Sequence, residues 1–361
     1  MRIPDGSRVA DYEYDLPAGR VARYPAERRD GSRLLVVPRG DGPLRHLRFH
    51  QAAELFEPGD VLVVNESKVL PARLLGRKPT GSPAEILLLR PAPAAPDERV
   101  WEALVRPGGK LKPGRVVDVA EDLRVEILDS APGGGRLVRV ICPGRVQDAL
   151  ERHGHMPLPP YLEREDEPID RERYQTVYAR TPGSVAAPTA GLHFTPEVLE
   201  ALRERGVERV ALTLHVGVGT FRPVEVEDPG AHELHHEWYD VPTAAAAAVN
   251  RARDEGRRVW AVGTTAVRTL EAVADERGRL VAGSGTTDLF IRPPYRFKVV
   301  DALLTNFHLP RSTLLMLVAA FGGYRQVMDA YREAVAGEYR FYSYGDAMAV
   351  VPAGVAATRL R

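Results

Sequence analysis

Apolar and polar positions divide the chain into two kinds of pattern. Between residue 72 and about residue 153, apolar positions come in short runs: Ala84–Leu89, Val100–Val105, Val116–Val119, Leu123–Leu128 and Leu137–Ile141. Turn clusters separate them: Pro79-Thr80-Gly81-Ser82, Pro107-Gly108-Gly109 and Pro132-Gly133-Gly134-Gly135. Short strands at this spacing, with Gly and Pro between them, predict an antiparallel sheet or small barrel. Helical periodicity is nearly absent there until Val146–Arg152. From residue 195 the pattern alternates instead. Thr195-Pro196-Glu197 opens a helix with a capping hydroxyl, a first-turn proline and an acid at the positive end of the dipole, and Gly206 closes it. Val207–Val216 reads as a strand, Thr243–Glu255 as a helix stopped by Gly256, and Val259–Val262 as a strand feeding a helix that begins at Gly263-Thr264-Thr265. Leu289–Ile291 reads as a short strand, and Ser312–Phe321 and Tyr324–Ala334 as helices. Strands alternating with helices imply a mostly parallel sheet flanked by helices. Val61–Val64 is an unbroken apolar run, as a buried strand of that sheet would be. The prediction is an α/β domain from residues 1–71 and 154–361, interrupted by an inserted antiparallel β-barrel domain at 72–153.

Composition narrows the class without changing this outline. A length of 361 residues suits two domains. With 44% hydrophobic and 27% charged residues, the chain resembles a folded globular protein, not a disordered one. Lys plus Arg equals Asp plus Glu at 49 each, which excludes a globally basic nucleic-acid wrapper but not a local basic patch. The single cysteine, Cys142, excludes internal disulfides and a four-cysteine zinc site. The longest strongly apolar run, Leu314–Phe321, has eight residues, against about 20 for a membrane span. The first thirty residues hold no stretch like that of a signal peptide. A cytoplasmic location without membrane association is expected. Charge is uneven locally: residues 20–48 hold eight Arg against three acids, and residues 225–240 hold six acids and no Lys or Arg.

Several segments are small and polar where a plain core would be aliphatic. Gly183–Thr195 ends at a helix N-terminus, whose free N–H groups favour an anion, and carries His193 two residues before the cap. Thr213–Phe221 follows a predicted strand, at the end where open α/β sheets bind ligands. Its Gly217-Val218-Gly219 does not complete a dinucleotide fingerprint, because Arg222 stands at the third glycine and no helix follows. Those glycines instead admit close backbone approach to a flat ligand. Gly263–Glu271 is a strand–loop–helix junction suited to a carboxylate, with Arg268 one turn in. Thr287–Ile291 carries Asp288. Thr305–Thr313 carries Asn306 and His308 before a capped helix. In Tyr339–Asp346 aromatics alternate with polar groups, as in an edge strand or a site. His232, Glu233, His235, His236 and Glu237 do not follow the two-histidine helix spacing of zinc peptidases, so no metal site is assigned.

Taken in order, these segments resemble the S-adenosylmethionine:tRNA ribosyltransferase-isomerase family of the queuosine pathway. The resemblance begins at Asp11–Pro17, Arg29–Val36, Pro58–Asn65 and Lys68–Leu74. It continues through Tyr174–Ala179, Ala186–Thr195, Leu212–Phe221, Gly263–Glu271, Thr305–Val318 and Phe341–Met348. Thr286 and Pro294 stand where the family pattern usually has Trp and Gly, and Arg23 and Glu66 also depart from it.

The resemblance implies an α/β fold with an inserted barrel. It implies transfer of the ribosyl part of S-adenosylmethionine to 7-aminomethyl-7-deazaguanine in tRNA, with isomerisation to epoxyqueuosine and release of adenine and methionine. S-adenosylmethionine is then the ribosyl-donor substrate, no resident cofactor is needed, and the chain is expected to act as a monomer. The chemistry needs groups titrating near neutrality, for which His193, His215 and His308 are the candidates. Asp346, Asp288, Tyr342 and Tyr344 are candidates to face the sulfonium. Thr189, Gly191, Thr264, Thr265 and Arg268 are candidates for the methionine carboxylate or ribose hydroxyls, and Asn306 and Ser343 for base edges. Arg20, Arg23, Arg28, Arg29 and Arg33, with Lys68, Arg73, Arg77 and Lys78, form the candidate tRNA patch. Two other readings stay open. One is an S-adenosylmethionine enzyme with a different acceptor. The other is a non-catalytic RNA-binding protein, which the scarcity of large aromatics in the barrel beyond Trp101 disfavours.

Overall fold

The structure is a computed structural model that describes residues 3–92, 97–131, 134–217, 224, 226–232, 234 and 236–357. Its strands in chain order are β1 (Arg33–Pro38), β2 (Arg45–Arg48), β3 (Val61–Asn65), β4 (Ser67–Val69), β5 (Arg73–Arg77), β6 (Pro83–Pro91), β7 (Val100–Arg106), β8 (Val116–Ala120) and β9 (Leu123–Ser130). They continue as β10 (Arg136–Ile141), β11 (Thr181–Ser184), β12 (Glu208–Leu214), β13 (Glu237–Val241), β14 (Val259–Val262), β15 (Gly283–Thr287), β16 (Ala302–Asn306) and β17 (Ala347–Val351).

Nine strands form one sheet in the order β15-β13-β12-β3-β14-β16-β17-β1-β2. Its centre, β12-β3-β14-β16, is parallel, as the alternating pattern predicts. The whole sheet is mixed. β13 and β15 add antiparallel at one edge and β2 at the other. β17 runs antiparallel to β16 because the helices Thr313–Gly322 and Tyr324–Ala336 bring the chain back to the edge it left. Strands β3, β14, β16 and β17 are buried at every position because both faces of the sheet are covered. In β3, Val61 and Val63 face the layer of Thr243–Asp254 and Gly263–Val273, while Leu62 and Val64 face the layer of Pro196–Glu204 and Phe49–Leu55. Trp260 of β14 stacks on Phe56 at 3.9 Å and donates its indole N–H to Asp60. The Pro196–Glu204 helix starts where the sequence predicts, with Thr195 Oγ1 accepting from Val198 N at 3.3 Å. Such a cap contributes about 1 kcal/mol.

The predicted strand at Leu289–Ile291 is not one. The strand is β15, a few residues earlier, and it is polar and largely exposed because it is a sheet edge. Ile291 is buried in the core without joining a ladder. Tyr339–Asp346 is likewise a loop with buried aromatics, not an edge strand.

Strands β5 to β10 close a barrel in the order β10-β7-β6-β5-β8-β9, antiparallel throughout the pairs recorded. Alternate side chains, including Leu74, Ile86, Leu88, Val117, Val125, Ile127 and Val138, fill its interior, and Leu150 of the Val146–His153 helix joins that cluster. The barrel is therefore a packed core and not a channel.

Candidate active site

The parallel strands β3, β12, β14 and β16 all end at one edge of the sheet, and β17 and β1 begin there. A cavity opens at this edge, lined by Ala187–Ala190, Val216, Gly263–Thr265, Thr305, Asn306, His308 and Leu314. Ligand sites in open α/β sheets fall here because loops leaving the carboxyl ends diverge.

Gly263, at φ +84°, turns the chain from β14 directly into the Gly263–Val273 helix. The first-turn amides of that helix have no partners within it. Thr264 and Thr265 are buried beside them, and the Thr265 hydroxyl has no hydrogen-bond partner among the described residues. One turn on, Arg268 is 6% exposed. Its Nη1 pairs with Glu237 and its Nε donates to the Leu289 carbonyl at 3.0 Å, but Nη2 is buried with no partner among the described residues. Glu237 also accepts the Gly217 amide at 2.9 Å. An unpartnered hydroxyl and guanidinium N–H at a helix N-terminus suit a carboxylate or another oxygen-rich anion.

A second feature is a chain of hydrogen bonds. Thr189 donates to Asn306 Oδ1 at 2.8 Å, and Asn306 Nδ2 donates to His193 Nε2 at 3.0 Å. His193 Nδ1 lies 2.7 Å from Ser32 Oγ, which donates to the Arg29 carbonyl at 3.4 Å. Thr189 orients the Asn306 amide, so Nε2 is the acceptor and Nδ1 carries the proton. His193 is fully enclosed and stacked on Phe49, and burial pushes its pKa down to about 4. Burial likewise takes His308, whose Nε2 bonds Thr305 Oγ1 at 2.8 Å, down to about 3. Both rings are neutral at pH 7.

This has a consequence for stability. Both folded values lie below about 6.5, the value for an unfolded histidine. Their contribution is complete above pH 6.5 and falls away as pH drops toward 4 and then 3, by roughly 1.4 kcal/mol per pH unit for each ring. The urea midpoint is therefore expected to drop between pH 7 and pH 5, and to drop less in His193→Gln. An identical drop in that variant contradicts the neutral assignment.

The structure brings Thr189, Thr264, Thr265, Asn306 and His308 together, with Arg268 behind the first helical turn. It places the other candidates elsewhere. His215 follows β12 but is not in the cavity. Its ring lies between Trp238, at 4.9 Å, and Gly183, where any Cβ would meet His215 Cε1 at 2.4 Å. Burial lowers its pKa to about 4. Gly191 is filled against Tyr178, whose hydroxyl would lie 2.2 Å from an added Cβ. Gly217 bonds Glu237, and Gly219, Glu233 and His235 fall outside the described residues. Asp288 is exposed and 3.8 Å from His236.

Ser343 and Tyr344 line a neighbouring cavity with Ser32 and His193. There Ser343 bonds Tyr161 at 2.5 Å and Tyr344 donates to Asp170 at 2.8 Å. The His193–Asn306 pair thus stands between the two cavities. Tyr342 lines a third, open hollow with Tyr14 and Pro310. Asp346 is buried and saturated: it accepts from Arg33 N at 2.8 Å, Arg33 Nε at 3.1 Å and Arg340 N at 2.8 Å.

Most of the candidate tRNA patch is tied down internally. Arg33 holds Asp346, and Arg29 donates to the Glu172 and Leu192 carbonyls. Arg73 pairs with Glu85 and Glu165, Arg20 with Glu338, and Arg23 with the carbonyls of Leu162 and Glu163. Arg77 donates to the Gly81 carbonyl. Arg28 is exposed but pairs with Asp30 beside Glu197. Lys68 and Lys78 are half-buried.

Sequence reasoning missed Ser32, Thr305 and the Glu237–Arg268 pair. Glu237 was legible as one acid of an acid-rich run and as a member of the His232–Glu237 cluster, not as the partner of Arg268.

The fold is that of a known family. A family model described as queuosine biosynthesis protein matches residues 9–350, and the chain belongs to that family. Among its relatives, the S-adenosylmethionine:tRNA ribosyltransferase-isomerase of Symbiobacterium thermophilum is 54% identical, covering 95% of this chain and 100% of the relative. The protein of the same name from Thermus thermophilus is 56% identical, covering 94% and 98%. A crystal structure of the S-adenosylmethionine tRNA ribosyltransferase from Thermotoga maritima is 40% identical and superposes with a TM-score of 0.54, covering 94% of this chain and 99% of that one. No described helix is long and apolar enough to cross a membrane.

Proposed function

We propose that this protein is an S-adenosylmethionine:tRNA ribosyltransferase-isomerase. It moves the ribosyl part of S-adenosylmethionine onto the aminomethyl group of 7-aminomethyl-7-deazaguanine in tRNA. The ribosyl group is isomerised to an epoxycyclopentane, and adenine and methionine leave. Family membership over nearly the whole chain supports the reaction class. The observation that carries the donor assignment is the unpartnered pair, Thr265 Oγ1 and Arg268 Nη2, beside the cavity at a helix N-terminus.

In this reading the methionyl carboxylate takes Thr265, Arg268 and the first helical amides. The sulfonium acidifies the C5′ protons of the ribose. A base is needed to remove one, and His308 is the candidate histidine that lines the cavity. Against the expectation of near-neutral titration, burial takes it down to about 3, so it serves as base only once the bound sulfonium has acidified the C5′ proton. His193 has both nitrogens engaged, so its role is to hold Asn306. With Oδ1 on Thr189 and one amide hydrogen on His193, Asn306 has a second amide hydrogen available for an acceptor atom of the substrate. The acceptor amine attacks as the free base. No resident cofactor enters, since S-adenosylmethionine itself supplies the ribosyl group.

The test offers three tRNAs in turn: one bearing 7-aminomethyl-7-deazaguanine, one with unmodified guanine at that position, and one whose aminomethyl group is acetylated. Adenine release is expected with the first alone. Equal release with all three contradicts the acceptor assignment.

A further inference from the structure

The barrel carries cations that no carboxylate among the described residues pairs with. Arg106, Lys110, Lys112 and Arg115 fall within ten residues that contain no acid. All four are exposed, and none forms an ion pair among the described residues. They sit on the connection from β7 to β8, which is a built loop. Leu111 is fully buried in the barrel core. Arg136 donates to the carbonyls of Leu111 at 2.9 Å and Gly108 at 2.8 Å, and Gly114 N donates to the Ile127 carbonyl at 2.8 Å.

Strand register places more positive charge at the same end. Arg106 lies opposite Glu85, and Arg77 opposite Pro83 and Asp118, so Arg77 and Lys78 turn beside this loop. The nearby carboxylates do not cancel it. Glu85 is held by Arg73 and Asp118 by Arg124, each at 3.1 Å, which leaves Asp129. Elsewhere the barrel wall is charge-paired, through Arg90–Glu102, Arg139–Glu126 and Arg152–Asp122.

We propose that the Arg106–Arg115 loop docks the phosphate backbone of the substrate tRNA. The inference rests on the function proposed above, since tRNA is the polyanion that reading supplies. Lysine and arginine on phosphates position a nucleic acid without reading its sequence, and they gain affinity by releasing counterions. A loop already fixed by Leu111 and Arg136 loses little freedom on binding. Base stacking is not the mode here, because Trp101 is buried within the barrel. The internally bonded arginines near residues 20–33 cannot serve this purpose without breaking the contacts that hold the loops around the cavity.

The test is tRNA binding across a salt series. It compares wild type, the triple variant Lys110→Gln/Lys112→Gln/Arg115→Gln, and a charge-matched control, Arg124→Gln/Arg139→Gln/Arg152→Gln. The loop variant is expected to weaken tRNA binding by about tenfold or more near 150 mM salt. The slope of log Kd against log salt should shrink by about two to three. The KM for S-adenosylmethionine, the rate at saturating tRNA and the Tm should stay at wild-type values. The control is expected to bind as wild type does. Loop and control variants losing affinity equally, or a loop variant with wild-type affinity and slope, overturns the proposal while leaving the function intact. Wild-type protein that binds no tRNA overturns the function, and the loop's role with it.

Discussion

Arg268→Ala is expected to lower stability by about 3–5 kcal/mol and to raise the Kd for S-adenosylmethionine roughly 10- to 100-fold. The first effect follows from Glu237, a buried carboxylate that loses its ion pair with Arg268. The second is the loss of one or two charge-assisted hydrogen bonds to the methionyl carboxylate, each worth about 1.5–3 kcal/mol. The two effects separate in the double variant Arg268→Met/Glu237→Gln. It removes both charges while keeping an acceptor for the Gly217 amide. Replacing a buried ion pair as a unit is close to neutral for stability. The double variant should therefore recover most of the urea midpoint but none of the affinity. If calorimetry finds that affinity returns together with stability, Arg268 is a structural residue and the carboxylate lies elsewhere.

Asn306→Ala is expected to lower kcat about a hundredfold or more with the fold retained. Asn306 is the member of the Thr189–Asn306–His193–Ser32 chain that both lines the cavity and bonds His193. Residues acting as one unit lose their effect together, so Asn306→Ala/His193→Ala should be little worse than either single change. His193 is the discriminating position. A general base replaced by Gln stays inactive. A residue whose work is to accept the Asn306 amide regains part of its function, because the Gln side-chain oxygen can accept the same hydrogen bond. The expected order of kcat is wild type, then His193→Gln, then His193→Ala. Equal inactivity of the two His193 variants returns the ring to the role of base. The pH profile adds a second reading: no inflection between pH 5 and 8 belongs to His193, whose value lies near 4.

What the sequence disclosed depended on how local the physics was. Val61–Val64 of β3 and all of β14 are unbroken apolar runs because both faces are covered, and the Pro196–Glu204 helix announces its cap. β15 gives no such signal, since an exposed edge strand of Gly, Ser and Thr looks like a loop. The small-residue loops after β14 and β16 were legible as site material, and they do meet at one cavity. Which side chains face that cavity was not. Val216 lines the cavity while the neighbouring His215 packs against Trp238. The contacts that commit Asp346 to Arg33 and His193 to Ser32 span 313 and 161 residues. No spacing rule reaches that far. The same limit explains the tRNA patch. A count of arginines near residues 20–48 cannot show that buried carbonyls and carboxylates already hold them, whereas the barrel loop's cations are neighbours in sequence with no acid among them.

The most direct test of the account follows the ribose carbons. S-adenosylmethionine labelled with 13C in the ribose is incubated with the protein and tRNA bearing 7-aminomethyl-7-deazaguanine, and the tRNA nucleosides are then analysed by mass spectrometry. The account predicts that all five labelled carbons appear in one modified nucleoside, with one adenine and one methionine released per label transferred. Label reaching the tRNA with adenine still attached, or a methyl group transferred instead, contradicts it.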